Sequence, residues 1–452
     1  MDMNHAEPSY TPICDFVKSY SQSDSLRLHM PGHKGRALIG TESLDITEID
    51  GADVLYHADG IIRQSEDNAS RLFGTERTFY SAEGSSLCIR AMVYLAKLYA
   101  KSAGKSSAII AARNAHKTFI TAAALMDIDI KWLYSQDSSV LSCKIDFAEL
   151  EKMLAEQNPV AVYITSPDYI GNIADIAKAA RLCHKYKSIL MVDNAHGAYL
   201  KFLKSSAHPI DFEADIVCDS AHKTLPALTG AAYLHVSRTA PDFFADYAEN
   251  ALSVFASTSP SYLILQSLDA VNGLLHDGLA DRIRASAARA EALKIRLSEH
   301  GFALASHEPL KLTIAPKPYG YTGTQLARIL AEKGIVCEFS DPDYTVMMFS
   351  SETANEDYSR LENALMVIPR AEPIEVYPPR LMRMEAALPP HDALMSPSEW
   401  ISVANASGRI LAGASVSCPP AVPIAVIGER MNESAARLFE YYGIEKCLVV
   451  CQ

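Results

Sequence analysis

The sequence predicts an α/β protein built around a mostly parallel sheet, with a smaller α+β domain and a C-terminal domain beside it. From residue 107 onward, short apolar runs alternate with amphipathic stretches of about ten residues, the pattern of parallel strands joined by covering helices. With 452 residues and 49% apolar content, the chain is too long for one simple core. More than one domain is therefore expected.

From Ser107 onward, the sequence predicts a succession of strands and helices. The predicted strands are 108–111, 130–133, 160–164, 188–192, 216–217 and 231–234, and the predicted helices are 117–126, 146–156, 174–187, 241–252, 262–275 and 280–300. Residues 301–369 then follow the order strand, strand, helix, strand, strand, helix, which is typical of an α+β domain. The seven prolines from Pro369 to Pro397 indicate an extended linker.

These patterns divide the chain into four predicted regions. They are an N-terminal helical segment (1–28), a large domain (29–275), a small α+β domain (276–369) and a C-terminal domain (370–452). The N-terminus lacks a basic segment followed by an apolar one, and no apolar run reaches about 18 residues. We therefore expect a cytoplasmic protein without a membrane partner.

Charge and cysteine content exclude further classes. The net charge is −13 and no lysine or arginine cluster stands out, so a nucleic-acid partner is not expected. The nine cysteines are scattered and mostly lie in apolar runs, which favours reduced thiols over a disulfide framework. Cys447 and Cys451 lack a second ligand pair, so we predict a terminal strand there and no metal site.

Two polar stretches follow apolar strands, and their key residues are thirty positions apart. They contain Asp193 and Lys223, each expected at the C-terminal end of a strand, where open α/β sheets bind ligands. A lysine amine can form a Schiff base with pyridoxal 5'-phosphate (PLP), and a carboxylate can keep the pyridine nitrogen protonated. Taken singly, each could instead be a core aspartate or a surface lysine.

A small-residue turn before a long helix offers a phosphate site. Gly84, Ser85 and Ser86 would present backbone N–H groups, hydroxyls and the positive end of a helix dipole to an anion. A serine helix cap without a ligand is the alternative. The Gly-x-Gly-x-x-Gly dinucleotide fingerprint and the Gly-x4-Gly-Lys-Ser/Thr phosphate loop are both absent from the sequence.

The sequence motifs around these residues resemble those of a known family. Ser-x-His-Lys-Thr at 220–224 and Val-Asp-x-Ala-His-Gly at 192–197 are similar to the two central motifs of the ornithine/lysine/arginine decarboxylases. The strings at 29–35, 45–48, 257–262 and 406–410 add to the resemblance, which is strong over 28–275, moderate over 376–430 and weak between them. It implies the PLP-dependent transferase-like fold (fold type I) and removal of the α-carboxyl group of arginine, lysine or ornithine.

The resemblance also implies roles for individual residues. His116 would stack on the cofactor ring, Ala195 would allow close approach to its other face, and Ser166 would reach its phenolic oxygen. Ser220 and His222 would contact the phosphate. Thr258 and Ser259 would reach the phosphate of a neighbouring subunit, which implies a homodimer with a shared active site. The wing domain of the long inducible members has no counterpart here, which favours a dimer over large rings.

Catalysis and substrate choice complete the predicted site. Lys223, Asp193 and His196 are the expected catalytic residues, with Lys223 or His196 returning a proton to Cα. Glu83 and Glu429 are candidates for binding the basic side chain of the substrate. Glu83 replaces the family's usual asparagine, and Asp168 its usual threonine, so both could alter substrate choice.

Two other functions remain open from the sequence. The Lys/Asp pair also serves aminotransferases and carbon–sulfur lyases of the same fold. An aminotransferase usually needs an arginine for the α-carboxylate, and Arg380, Arg383 or Arg409 could supply it. A non-catalytic relative that keeps the fold to bind a partner is the second alternative, although the joint presence of Lys223, Asp193 and His116 argues against it.

Overall fold

The structure is a computed structural model that describes residues 9–135, 141–413 and 422–451. The first eight residues of the predicted N-terminal helical segment, and residues 414–421 of the predicted C-terminal domain, lie outside the described residues. The helices are α1 Pro12–Ser21, α2 Ile61–Phe73, α3 Gly84–Ala103, α4 Lys117–Leu125, α5 Phe147–Gln157, α6 Ile176–Lys185, α7 Ala221–Thr224, α8 Asp242–Ser253, α9 Tyr262–His276, α10 Leu279–His300, α11 Gly323–Glu332, α12 Asn355–Met366, α13 Pro390–Met395 and α14 Glu433–Tyr441.

The strands follow the predicted alternation closely. They are β1 Arg77–Ser81, β2 Ile109–Ala112, β3 Ile130–Leu133, β4 Ala161–Thr165, β5 Ile189–Asp193, β6 Ile216–Asp219, β7 Ala232–Val236, β8 Ala303–Leu304, β9 Lys311–Ala315, β10 Phe339–Ser340, β11 Thr345–Met348, β12 Glu385–Ala386, β13 Ser398–Ser402, β14 Glu429–Arg430 and β15 Lys446–Val450. Two 3-10 turns, Ala198–Phe202 and Pro209–Phe212, follow β5.

The large sheet has seven strands in the order β1-β7-β6-β5-β4-β2-β3. Only β7 runs antiparallel to its neighbours β1 and β6, and the remaining pairs are parallel. The mostly parallel sheet predicted from the sequence is therefore confirmed. Strand β1 was not predicted, because its five residues, Arg-Thr-Phe-Tyr-Ser, have polar ends and form no apolar run.

Both faces of this sheet are covered by helices. Along β2, Ile109 packs into a core on one face together with α3, while Ile110 packs into a second core together with α5 and α6. This alternation is the period of two that a strand imposes on its side chains. Helix α3, whose Leu87, Ala91 and Leu95 are fully buried, lies against β7 and α8 and is held firmly in place.

The part of the chain after residue 276 contains a four-stranded antiparallel sheet in the order β10-β11-β9-β8. Helices α10, α11 and α12 belong to the same part of the chain. Its elements have the predicted order, and the predicted fold class is confirmed; the domain boundaries stay predictions. The proline-rich stretch is not wholly extended, since β12 and α13 lie within it. Towards the C-terminus, β12 pairs with β14 and β13 pairs with β15.

Two further sequence predictions concern cysteines and membranes. Cys447 lies in β15, as the predicted terminal strand required, and the eight cysteines within the described ranges are free thiols. Among the helices that the structure describes, none is both long enough and apolar enough to cross a lipid bilayer.

Candidate active site

The C-terminal ends of the parallel strands bring the predicted site residues to one edge of the large sheet. In the register of β4, β5 and β6, Thr165 stands beside Asp193, and Asp193 stands beside Cys218. The N–H of Ser166, the residue after β4, donates to the carbonyl of Asp193 at 3.0 Å. Asp193 thus occupies the middle of the edge where such sheets bind ligands.

Asp193 is a buried carboxylate held in one orientation. Its Oδ2 accepts a hydrogen bond from the hydroxyl of Tyr163 at 3.0 Å, and its Oδ1 accepts one from the N–H of Ala195 at 3.2 Å. The Cys218 thiol lies 3.7 Å from the same Oδ1. These contacts fix the orientation of the carboxylate at the edge of the sheet.

Lys223 lies on the short helix α7 and is exposed, and its Nζ lies 3.1 Å from Nε2 of His196. His196 is buried, and burial, followed by the positive charges of Lys223 and Lys311, holds its pKa well below the usual value. It is therefore neutral at physiological pH. Within the described part of the chain, its buried Nδ1 has no hydrogen-bond partner.

The predicted phosphate cup forms at the N-terminus of α3. Gly84 begins the helix with φ of +72°, a conformation that favours glycine, and its N–H donates to the carbonyl of Gly230 at 2.7 Å. The Ser220 hydroxyl lies 2.8 Å from that of Ser85. The Ser86 hydroxyl lies 3.3 Å from that of Thr118, and the start of a 20-residue helix is a favourable place for an anion.

Two more histidines have fixed rings. His116 caps α4: its Nδ1 accepts the N–H of Thr118 at 3.2 Å. Burial lowers its pKa, against the opposing effect of the Asp193 charge. His222 donates from Nδ1 to the carbonyl of Ala231 at 2.9 Å, and burial lowers its pKa as well. Both rings are partly accessible, so each has a flat face or a ring nitrogen to offer a ligand.

A buried network behind Lys223 was not predicted from the sequence. Asp219 ends β6, and its Oδ2 accepts hydrogen bonds from Nε2 of His208 at 2.9 Å and Nε2 of His235 at 3.2 Å. Its Oδ1 accepts the amide of Asn194 at 2.6 Å. The two histidines hold the pKa of Asp219 below its usual value despite burial.

This network joins the Asp193 loop to the Lys223 turn. Asn194 directly follows Asp193, and a Cβ at Gly197 would lie only 1.9 Å from its Oδ1, so a glycine is required there. Asn194 could have been recognised from the sequence because it departs from the family's usual glutamate. His208 and His235 could not, since their shared partner is visible only after folding.

The predicted substrate-binding acids have other partners in the single chain. Glu429 is buried; its Oε2 lies 3.4 Å from Nη2 of Arg113 and accepts the N–H of Val426 at 2.8 Å. Glu83 is exposed, and its Oε1 accepts the N–H of Ser257 at 2.7 Å. Their predicted contact with the substrate stays a prediction.

Other predicted residues are placed as follows. Thr258 and Ser259 are exposed on the loop before α9, beside Glu83. Asp168 is buried, and its carboxylate accepts the N–H groups of Cys143, Gly171 and Asn172, so it closes its own loop instead of facing a substrate. That finding corrects the expectation that Asp168 alters substrate choice.

The arginines proposed for an aminotransferase also have partners. The guanidinium of Arg383 stacks over the ring of Tyr134 at 4.6 Å, and Arg409 donates to Glu399 at 2.7 Å. Arg380 is exposed. Two of the three candidate carboxylate-binding groups are therefore engaged elsewhere.

Comparisons with known proteins identify the family. The family described as Orn/Lys/Arg decarboxylase, major domain, matches residues 11–302. Arginine decarboxylase of Bacillus subtilis (strain 168) is 30% identical, with 94% of this chain and 91% of the relative covered. Arginine decarboxylase of Bacillus cereus is 28% identical, with 95% of this chain and 99% of the relative covered.

Solved structures agree on the fold. The lysine decarboxylase of Francisella novicida superposes with a TM-score of 0.77 at 16% identity, covering 98% of this chain and 81% of that one. The constitutive lysine decarboxylase of E. coli superposes with a TM-score of 0.75 at 19% identity, covering 98% of this chain and 82% of that one. The family match, the near full-length relatives and the shared fold agree with the motifs quoted above: the chain belongs to the Orn/Lys/Arg decarboxylase family.

Proposed function

We propose that this protein is a PLP-dependent decarboxylase that converts a basic amino acid into carbon dioxide and the amine one carboxyl group shorter. The proposal rests on three features that lie at the same edge of the large sheet. There an accessible lysine, Lys223, a buried and oriented carboxylate, Asp193, and a hydroxyl-lined helix N-terminus lie together. Family membership supports the same activity.

The chemistry of these donors fits PLP. Asp193 would hold the pyridine nitrogen, and the ring of His116 is flat and accessible enough to stack on the cofactor. Ser85, Ser86 and Ser220 would hold the phosphate, with His222 beside them, and Gly84, whose N–H donates to Gly230, would shape the turn. Ser166 stays the predicted donor to the phenolic oxygen, because its Oγ accepts the N–H of Ala174 at 3.0 Å and keeps its own proton to donate.

The residues of the chain would have separate roles in the reaction. When bound, PLP takes up the electron pair left behind as the carboxylate departs. Asp193, oriented by Tyr163 and Ala195, would stabilise the positive charge on the pyridine nitrogen that this requires. His196 is neutral and accepts a hydrogen bond from Lys223 at Nε2, so the pair can hold one proton and return it to Cα of the product.

Arginine is the substrate that the relatives support best, since the named decarboxylases among the near full-length matches are arginine decarboxylases. Lysine and ornithine are the other members of the class. The products would be agmatine, cadaverine or putrescine, respectively. All three substrates carry a distal cation, which requires an acidic or aromatic partner in the protein.

We further propose a homodimer with a shared active site. Large apolar side chains are exposed in the segment after α1, including Leu28 at 81% and Ile39 at 87% exposure, and such patches are typical of protein interfaces. Lys223, Thr258 and Ser259 are also exposed in the single chain. A second subunit would cover this face and could bring its own Thr258 and Ser259 to the phosphate.

A reducing compartment such as the cytoplasm remains our prediction for where the protein acts. Free thiols are stable there, and the eight described cysteines are all free. Most of them are buried in apolar surroundings, which raises the pKa of the thiol in each such case, for example Cys88 and Cys183. They are therefore expected to be inert.

Product analysis tests the proposal. The purified protein, supplied with PLP and with an α-keto acid as amino-group acceptor, is incubated separately with arginine, lysine, ornithine and several neutral amino acids. Carbon dioxide, amine and the keto acid of each amino acid are then measured. We expect carbon dioxide and amine in equal amounts from at least one basic amino acid. Lys223→Ala should lower the rate by at least about 10³-fold, because the lysine both anchors the cofactor and moves a proton.

Lys152→Ala is the matched control, since Lys152 is an exposed lysine on α5. It should leave the rate unchanged. Keto-acid formation without carbon dioxide would favour an aminotransferase instead. Full activity in Lys223→Ala would refute the proposal, as would the absence of any product from all three basic amino acids.

A further inference from the structure

A cavity of about 640 Å³ lies between the small sheet and the C-terminal helix α14. That volume is within the range of small-molecule sites. Its walls come from α11, from the segment 336–342 around β10, and from residues 440–444 at the end of α14. Among its described lining residues there is no lysine, arginine or histidine. Behind the wall, the amine of Lys317 lies 5.1 Å from the ring centroid of Tyr441 and is paired with Asp343 at 2.6 Å.

The aromatic lining suits the same kind of ligand. Phe339, Tyr441 and Tyr442 line the cavity beside aliphatic side chains such as Ile424. Aromatic faces attract ammonium and guanidinium groups, and aliphatic walls accommodate a methylene chain. A flexible aliphatic chain that ends in a cation therefore matches this lining.

One acid on the cavity wall is connected to the catalytic residues. The Tyr169 hydroxyl donates to Oε1 of Glu338 at 2.8 Å. The ring of Tyr169 packs edge to face against His196, with centroids 5.1 Å apart, and His196 contacts Lys223. On its other side Tyr169 packs against Phe339 at 5.3 Å. A continuous line of contacts thus runs from the lysine to the carboxylate in the cavity.

Three acids line the cavity, Glu338, Asp341 and Glu440, and of these Glu338 is the one that Tyr169 connects to His196. Asp341 uses Oδ1 to accept the N–H groups of Asp343 and Tyr344, which closes a turn. Lys311, whose amine lies 5.9 Å from the Tyr169 ring centroid, is buried and paired with Glu308 at 2.8 Å. Its charge is therefore balanced from the opposite side of Tyr169.

We propose that this cavity binds the distal cation of a basic amino acid or amine, with Glu338 as the specificity-determining carboxylate. The inference deepens the proposed function, on which it rests, by naming a residue that selects basic substrates. The cation could belong to the substrate in the catalytic site or to a free amine bound separately. Either source places an ammonium or guanidinium group against Glu338.

Glu338→Gln is the informative variant, because the glutamine carbonyl still accepts the Tyr169 hydrogen bond while the charge is lost. For the basic substrate found by product analysis, KM should rise about 10- to 100-fold with kcat little changed, the loss expected for a hydrogen bond to a charged group. The neutral analogue, citrulline for arginine or norleucine for lysine, should bind equally well to both proteins. Glu356→Gln, which removes an exposed acid on α12 that does not line the cavity, is the matched control and should resemble the wild type.

Inhibition patterns separate the two sources of the cation. A raised KM for the substrate indicates the catalytic site, whereas an unchanged KM with weakened inhibition by the amine product indicates a separate amine site; both support the proposal. An unchanged KM together with unchanged amine inhibition would overturn it. So would an equal loss for basic substrate and neutral analogue, because that would mean Glu338 only positions Tyr169.

Calorimetric titration tests the cation site independently of the proposed function, because it measures binding and not turnover. If the wild type releases no carbon dioxide from any basic amino acid, the proposed function fails, yet binding of arginine against citrulline can still be measured. A preference for arginine that is lost in Glu338→Gln supports the cation site. No preference in the wild type, or one that the substitution leaves intact, overturns it.

Discussion

At the scale of single residues, the site depends on a lysine and a histidine that share a proton. Nζ of Lys223 lies 3.1 Å from Nε2 of His196, and the histidine is buried with its pKa well below the usual value. A neutral imidazole can accept from the lysine amine without repelling it. The pair is therefore suited to hold a proton close to the reacting carbon.

His196→Gln should separate proton transfer from cofactor binding. We expect kcat to fall about 10²- to 10⁴-fold, the usual contribution of general acid–base catalysis, while the yellow colour of the bound cofactor persists. Because burial keeps His196 neutral, its protonation should not produce a break near pH 6.5 in kcat/KM. His307→Gln, at an exposed histidine, is the control. A break near pH 6.5 in the wild type that disappears in His196→Gln would contradict this account.

The residues that sequence reasoning identified are those embedded in local motifs. Asp193, Lys223 and Gly84 were each found from a short string at the end of a strand or the start of a helix. Arg113, the partner of Glu429, was not identified, because it lies 316 positions from Glu429 in the chain. Tyr169 and Glu338 were missed for the same reason, since their hydrogen bond joins positions 169 residues apart.

At the scale of elements, Asp219 holds together the segments that carry the catalytic residues. Through His208, His235 and Asn194 it ties the end of β6 to a 3-10 turn, to β7 and to the loop after β5. Each histidine accepts at Nδ1, from the N–H of Ile210 and from the hydroxyl of Thr78, so each donates from Nε2. Asp219 is therefore a positioning residue for Lys223 and Asp193.

Asp219→Asn should lower the free energy of unfolding by about 1–3 kcal/mol at pH 7, because an amide replaces a buried carboxylate that accepts from two histidines. The folded-state pKa of Asp219 lies below its unfolded value. Its contribution to stability is thus present above the unfolded pKa and is lost as pH falls through the folded pKa. Denaturant unfolding should show the difference between wild type and variant shrinking below about pH 4.

Asp219→Asn should also weaken cofactor attachment. A substitution at a residue with only a structural role would leave cofactor binding intact in the folded fraction. Absorbance of the bound cofactor, titrated with PLP, measures this directly. Asp246→Asn on the outer face of α8 is the control, since Asp246 is exposed. Equal stability of Asp219→Asn and the wild type from pH 4 to pH 8 would refute the assignment.

Most elements between residues 108 and 366 were predicted, whereas helices α2 and α14 and several short elements were not. The strands and helices from 108 to 366 match because alternating apolar runs and amphipathic helices leave a strong pattern. Strand β1 and the short elements β12 and α13 were missed, since pairing with distant segments, and not local composition, defines them. The pairing of β1 with β7 spans about 155 positions and could not be inferred locally.

At the scale of the whole molecule, side-chain contacts join the other two parts of the chain to the large domain. Tyr169 donates to Glu338 beside β10, and Arg113 contacts Glu429 in the C-terminal part. The exposed apolar segment after α1 and the exposed Thr258 and Ser259 suggest that a second chain completes the assembly.

Subunit complementation tests the shared site. Lys223→Ala lacks the catalytic lysine, and Ser259→Asp would place a negative charge beside the partner's phosphate, so each variant alone should be inactive or nearly so. Mixed subunits should recover part of the activity, because a mixed dimer contains one site free of both substitutions. Sedimentation should show a dimer for each protein. Monomers, or mixtures no more active than their components, would contradict the proposal.

The central claim is that Lys223 carries the cofactor, and borohydride reduction tests it most directly. The protein is incubated with PLP, reduced, digested and analysed by mass spectrometry. We predict a phosphopyridoxyl group on the peptide that contains Lys223, and its loss when excess substrate amine is added before reduction. A label spread over other lysines, with Lys223 unmodified, would contradict the account.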